Sequence, residues 1–335
     1  MYDVVVIGAR CAGSPTAMLF ARQGYRVLPP EKARFPQDPL SSHYVHLPGV
    51  ALFSGVDFRE ACAVNDLLFE DDRVVGVRYT TPAGTEATER ARPVVGADGM
   101  RSLVARKAGA LNIVEHPRMT CTYYSYWAGV PGHFELYERP GRWVGAIPTN
   151  DDLKLIMAYF PQSEFSEVRT AVEPAVLEAV RSTTPESYER MSAGSRVEQF
   201  YGTGHQENFF RKADGPGWVL LGDAVHHKDS ITARGITDAF LKAQSLTECI
   251  GERLHEPTGL EAALRRYEND LTAGFLDLYQ GALNVAELKP GRQTEMLRQL
   301  VDHQNLIDRY FSTVSGACSL DDFCNDELLA VLDQS

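Results

Sequence analysis

Asp223 closes an apolar run, Val219-Leu220-Leu221-Gly222, and further on Gly235 stands just ahead of a helical pattern that begins near Ile236. A carboxylate at a strand end can bind a sugar hydroxyl. The free N–H groups of a helix start can face a phosphate or an electron-rich ring. A second set is Gly8, Gly13 and Glu31, the acid following Gly8 by 23 residues. Two glycines at a strand-to-helix turn suit a pyrophosphate on the helix N-terminus, and an acid roughly 20 residues on suits a ribose. A third set, Asp98-Gly99-Met100-Arg101-Ser102, again follows an apolar strand and precedes a helix with basic residues. Taken alone it also reads as an ordinary turn, because Asp-Gly is a common turn dipeptide.

Positioning these residues requires strands that open directly into turns. Val4-Val5-Val6-Ile7 is β-branched throughout and reads as a strand buried on both faces. A helix over roughly 14–23 follows; Gly24 ends it and Tyr25–Leu28 form the second strand. Arg10 occupies the middle position of the glycine turn, so its side chain must turn aside from a phosphate. Pro29-Pro30 removes two N–H donors at the end of what reads as an inner strand, which would loosen Glu31.

The three elements, in this order, resemble the FAD-dependent monooxygenase and oxidoreductase superfamily, with its aromatic hydroxylases and geranylgeranyl-reductase-like flavoproteins. Phe35-Pro36, Leu40-Ser41-Ser42-His43-Tyr44, Pro48-Gly49-Val50 and Gly217-Trp218 extend the resemblance. The implied fold class is α/β: a Rossmann-like FAD-binding domain of the glutathione-reductase/hydroxylase type with an inserted mixed-sheet substrate domain and C-terminal helices. The resemblance assigns Gly8, Gly13 and Glu31 to the ADP half of FAD. Asp223, Gly235 and Ile236 go to the diphosphate and flavin end, with Asp98 and Arg101 between; Arg10, Cys11, Ala12, Lys32 and Gly222 complete the expected cofactor-binding set. It implies FAD as cofactor and NADPH or NADH as reductant. Departures are Val225-His226-His227, Arg234 beside Gly235, and Ser230 in place of a usual proline, which would loosen the turn near the flavin. Between Val50 and Ser54 the chain also lacks several tens of residues of the family order, including an arginine-bearing helix. Three residues leave little room for a crossover, which takes about a dozen or more. A sequence gap near Phe53 is favoured over a naturally short chain.

Composition bounds the alternatives. At 335 residues and 44% apolar, the chain is globular and holds one compound domain or two. A formal charge of −12 argues against nucleic acid or anionic lipid as partner. No apolar run has membrane-span length, and the opening strand is no secretion signal. Six scattered cysteines without a Cys-x-x-Cys pair suit a reduced, cytoplasmic setting. Cys11 reads as a small residue packed under the cofactor. His226-His227 are adjacent, cannot easily share one ion, and are read as no metal site; His227 is read as orienting its loop beside Asp229.

The expected organisation is an FAD-binding domain over 1–118 and 207–256, a substrate-covering sheet domain over 119–206, and a helical region over 257–335. A β-meander is expected over 56–64 and 67–81 around Glu70-Asp71-Asp72-Arg73. Strands are expected at 121–129, 134–138, 143–147 and 153–160. Helices are expected at 163–182 (interrupted near Pro174), 186–192, 236–254, 260–288, 294–311 and 319–332. Period-2 alternation sends Tyr124 and Tyr126 to one face of a strand, and Tyr123 and Trp127 mostly to the other. The first face lines either an aromatic cavity or a plain core. His43, Tyr124 and Tyr126 are the catalytic candidates, with His46 a second possible proton relay beside structural roles for both histidines. Trp143-Val144-Gly145-Ala146-Ile147-Pro148 partly resembles a halogenase signature, but Gly145 replaces its second tryptophan and a strand ending at a proline explains it better.

The resulting functional expectation is a monooxygenase acting on a small apolar or aromatic molecule, with NAD(P)H, molecular oxygen and a flavin hydroperoxide oxidant. The alternatives are a reductase of carbon–carbon double bonds and a non-catalytic flavin-binding remnant. Sequence alone leaves the oligomeric state open.

Overall fold

The computed structural model describes residues 2–34, 57–315 and 318–333. The readings of His43, His46 and the junction near Phe53 lie outside the described residues. The chain runs β1 (Val4–Ile7), α1 (Gly13–Arg22) and β2 (Val27–Leu28), then a meander of β3 (Ala63–Glu70), β4 (Arg73–Thr80) and β5 (Glu86–Arg90). It continues through β6 (Val94–Gly96), α2 (Leu103–Lys107) and β7 (Asn112–His116). Four long strands follow: β8 (Thr120–Ala128), β9 (Glu135–Arg139), β10 (Arg142–Pro148) and β11 (Leu153–Pro161). Then come α3 (Phe165–Val168), α4 (Val172–Thr183), α5 (Pro185–Ala193), β12 (Ser195–Arg196), β13 (Tyr201–Thr203) and β14 (Asn208–Arg211). The chain returns by β15 (Asp214–Gly215), β16 (Trp218–Leu220) and β17 (His226–His227) to α6 (Gly235–Ile250) and the long α7 (Pro257–Ala286).

The first sheet has the order β15-β16-β6-β1-β2, parallel except for β15. Its three inner strands are buried at every position, which is why they read as unbroken apolar runs. The second sheet is antiparallel, order β12-β8-β11-β10-β9, with β13 also on β8. α4 and α5 cover one face, where Tyr123 and Trp127 pack with Val144, Ile156 and Val176. The opposite face carries Tyr124, Tyr126, Trp143, Leu155, Met157 and Tyr159, so the period-2 expectation holds.

Local differences have local causes. Asp71 takes a left-handed φ of 51° and turns the chain, so the 67–81 run contains parts of two strands. Pro174 lies in the first turn of α4, where its missing N–H is harmless; the break falls at 169–171 instead. The last two expected helices each divide, into α8 (Arg292–Gln299) and α9 (Gln304–Ser315), then α10 (Leu320–Phe323) and α11 (Asp326–Leu332). Among the described strands β2 stands at the end of its sheet, with an isolated parallel bridge from Pro30 to Arg59 beside it, so Pro29-Pro30 costs no inner ladder bond.

At the outer edge strand, Asp214 is 8% exposed and its Oδ1 has no partner among the described residues. Burial and the neighbouring Asp214 carboxyl push Glu268 of α7 up to about 7. A carboxyl with a raised folded pKa stabilises the fold fully below its unfolded value of about 4.3, and that contribution is lost as pH rises through the folded value. Glu268→Gln holds the neutral form at all pH. Its thermal midpoint is expected to exceed wild type at pH 8 and to approach it at pH 5; an equal offset at both would refute the assignment.

Candidate active site

The three turns meet. Gly8 has φ +90°, and a Cβ there would lie 2.6 Å from the Ala97 carbonyl oxygen and 3.3 Å from Asp98 Cα. A Cβ on Gly13 would lie 1.8 Å from the Gly8 carbonyl oxygen, so only glycine lets α1 sit this close to the strand end. A Cβ on Gly222 would lie 2.7 Å from Ala12 Cβ. The C-terminal ends of the adjacent parallel strands β1, β6 and β16 therefore lie together, at the end of the sheet where open parallel sheets bind ligands. α1 and α6 both start without a side-chain cap. Their positive ends remain available to an anionic group.

Each expected residue has a defined place. Arg10 is exposed and has no left-handed φ, so the missing middle glycine costs no strain. Cys11 is half-buried, and burial pushes its thiol up. Glu31 is 3% exposed; its carboxylate accepts from Ala9 N–H at 2.9 Å and Ala33 N–H at 3.0 Å. Its backbone N–H donates to Arg59 O and its carbonyl accepts from Cys62 N–H. Glu31 is thus firmly held rather than loosened by the prolines. Lys32 is exposed. Asp98 accepts from Ser102 Oγ at 2.6 Å, Leu103 N–H at 2.6 Å and Val104 N–H at 3.3 Å, fixing the start of α2 beside exposed Arg101. Asp223 is exposed, Ile236 half-buried, and a Cβ on Gly235 would meet nothing within 4 Å.

The loop between Asp223 and Gly235 is pinned despite the absent proline. Ser230 N–H donates to Gln206 Oε1 at 3.0 Å, a bond proline could not make. Ser230 Oγ lies 2.8 Å from Tyr159 OH. Asp229, 1% exposed, accepts from Thr120 Oγ1 at 2.7 Å and Ile231 N–H at 3.2 Å; burial raises its pKa. His227 Nδ1 is hydrogen-bonded to the Glu207 carbonyl, the loop-orienting role expected of it.

Sequence reasoning missed a buried charge cluster behind this loop. Asp238 is paired with Lys228 and, at 3.1 Å, with Arg234; the three side chains are 2%, 7% and 8% exposed. Lys242 Nζ lies 2.9 Å from His226 Nδ1. The spacing by four of 234, 238 and 242 puts them on one helix face, and the structure shows that Ala239, Ala243 and Leu246 are buried on that same side.

On the second sheet, Trp143 lies over Gly145: a Cβ there would be 3.0 Å from Trp143 Cζ3 and 3.1 Å from Met157 Cγ. A tryptophan at 145 has no room in this packing. Tyr124 packs against Tyr126 and Tyr201 at ring centroid distances of 6.1 and 5.7 Å.

A sequence model described as FAD binding domain matches residues 29–273, most of the chain. The chain belongs to the FAD-dependent monooxygenase/oxidoreductase superfamily. It is 26% identical over 250 residues to digeranylgeranylglycerophospholipid reductase 1 of Methanopyrus kandleri, across 72% of this chain and 64% of that protein. The match thus spans less than two-thirds of that relative's length. The flavin-dependent brominase Bmp2 superposes with a TM-score of 0.80 at 18% identity, over 99% of this chain and 98% of that one. PqsL of Pseudomonas aeruginosa, described as a probable FAD-dependent monooxygenase, gives 0.72 at 19%, over 87% and 97%. These two similarities show the shared fold. Within this flavoprotein family, the features that fit FAD are the glycine cradle, the two uncapped helix starts, exposed Asp223 and the cation-rich base of α6. Among the described residues no cluster suits a metal ion, and no helix is long and apolar enough to cross a membrane.

Proposed function

We propose that this protein is an NAD(P)H-consuming, FAD-dependent monooxygenase acting on a small aromatic or apolar molecule. One observation carries the reading: the aromatic face of the second sheet abuts the loop that leads to α6. Tyr159 meets Ser230 at 2.8 Å, and Ile231 packs with Trp143, Leu155 and Met157. A flat apolar molecule bound over Tyr124 and Tyr126 would then lie beside the α6 start. PqsL has been solved with 2-aminobenzoylacetate, a small aromatic molecule, on the same fold.

When bound, FAD would supply the two-electron chemistry, taking electrons from NADPH or NADH and passing them to molecular oxygen. The chain's residues would bind and orient it. Gly8, Arg10, Cys11, Ala12, Gly13, Glu31 and Lys32 would take the ADP half, with Glu31 facing the ribose. Gly222 and Asp223 would meet the diphosphate side. The N–H groups at Gly235 and Ile236 would hold negative charge on the ring. Asp98 would act indirectly, by fixing the turn that presents Arg101. Tyr124 and Tyr126 would orient the substrate, and the closely packed Trp143–Tyr159 wall would exclude water.

The test is the visible spectrum of the purified protein, followed by turnover with and without oxygen. A flavin band bleached anaerobically by NAD(P)H and restored by air, with product formed only in oxygen, is expected. The name of the Methanopyrus kandleri relative favours a second reading, reduction of carbon–carbon double bonds. Product formation that survives strict anaerobiosis would select it. A protein that takes up FAD but forms no product in either condition would leave the remnant reading, and one that takes up no FAD would refute all three.

A further inference from the structure

Lys242 lies two turns into α6 and is 1% exposed. Among the described residues its Nζ has one hydrogen-bond partner, His226 Nδ1 at 2.9 Å, and it sits 4.9 Å from the centroid of the Phe275 ring. His226, 2% exposed, is stacked on Phe210 with centroids 5.0 Å apart, and its Nε2 has no hydrogen-bond partner among the described residues. An ammonium carries three donors, so this environment solvates the charged lysine poorly. The groups facing Lys242 come from three places: Lys228, Arg234 and Asp238 from the loop and first turn of α6, Asp223 from the Gly-Asp turn, and His226 itself from β17. α7 contributes the Phe275 ring, and its Tyr279 ring edges His226. Asp238 already serves both Lys228 and Arg234. Burial, then repulsion from Lys228, pulls Lys242 down to about 7.

A hydride delivered by NAD(P)H carries two electrons and one proton. The nicotinamide leaves oxidised, and the cofactor gains one net negative charge. Negative charge arriving at the start of α6 favours a cation behind it. We propose that Lys242 takes up a solvent proton on its Nζ lone pair when the cofactor is reduced, so that flavin reduction is coupled to the charging of a buried lysine that does not touch the ring. This rests on the flavin reading above. The new N–H bond restores the charge balance; the O–H bond of a hydronium ion or buffer acid breaks as it forms, and no electron moves in this step. Lys242 is therefore a charge-compensating group, and its signature is a proton count rather than a turnover number.

The test measures the midpoint potential of bound FAD between about pH 6 and 9 in wild type, Lys242→Met and Lys242→Arg. Wild type should take up about one proton more per two electrons than Lys242→Met near pH 8, giving a steeper fall of potential with pH. Lys242→Arg, charged throughout, should share the shallow slope of Lys242→Met at a higher potential. Identical slopes in all three holoproteins would overturn this inference and leave the proposed function standing. A wild-type protein that binds no FAD would overturn the proposed function and this inference with it.

Discussion

Asp238→Ala is expected to remove about 3–5 kcal/mol of folding stability, because it strands the buried cation of Lys228 and takes one partner from Arg234. Asp238 is 2% exposed and is the shared partner of Lys228 and Arg234, themselves 7% and 8% exposed. Among the described residues Lys228 has no ion pair besides the one with Asp238. Denaturant melts of the apoprotein read this directly. The double variant Asp238→Ala, Lys228→Met should recover a large part of the loss, since it removes one stranded charge along with its partner. If Asp238→Ala lost no more than the few tenths of a kcal/mol usual for surface positions, the cluster would be better solvated than its burial indicates.

Gly13→Ala and Gly235→Ala are expected to act in opposite ways. At Gly13 a methyl collides with the Gly8 carbonyl at 1.8 Å, a backbone contact that cannot rotate away. Either α1 or the end of β1 must move, and overpacking of this kind costs about 1–3 kcal/mol or more. Both stability and FAD uptake should fall. At Gly235 the methyl meets nothing within 4 Å, so the apoprotein melt should hold or rise slightly. Any drop in FAD affinity there, of about tenfold or more, would report a cofactor lying against the α6 start; tenfold corresponds to about 1.4 kcal/mol. Equal loss of stability and affinity in both variants would mean that Gly235 is a folding residue only.

Legibility followed the physics of each feature. β1, β6 and β16 were readable because a strand buried on both faces must be apolar at every position, and each runs within two residues into a Gly or Asp of the turn. The facing of Tyr124 and Tyr126 was readable because strand periodicity is fixed by the pleat. The place of β2 was not, since edge and inner positions depend on which strands come to pair. Ser230 misled in the same way: the proline it replaces would stiffen a turn locally, whereas Gln206 and Tyr159 hold it from distant parts of the chain. The charge cluster resisted reading for a further reason. Charges four apart on a helix ordinarily mark a solvated face, and only tertiary packing shows that Lys242 and Asp238 point inward.

The last helices bring a consequence of another kind. Leu300, Leu306, Phe323 and Leu328 form a core of their own, apart from the three larger clusters. A unit held by so little apolar surface opens at a lower free energy than the parallel sheet, as a separate cooperative foldon. Amide exchange along α9 should therefore outrun exchange in β1 under native conditions. A single unfolding free energy would then describe neither part of the chain.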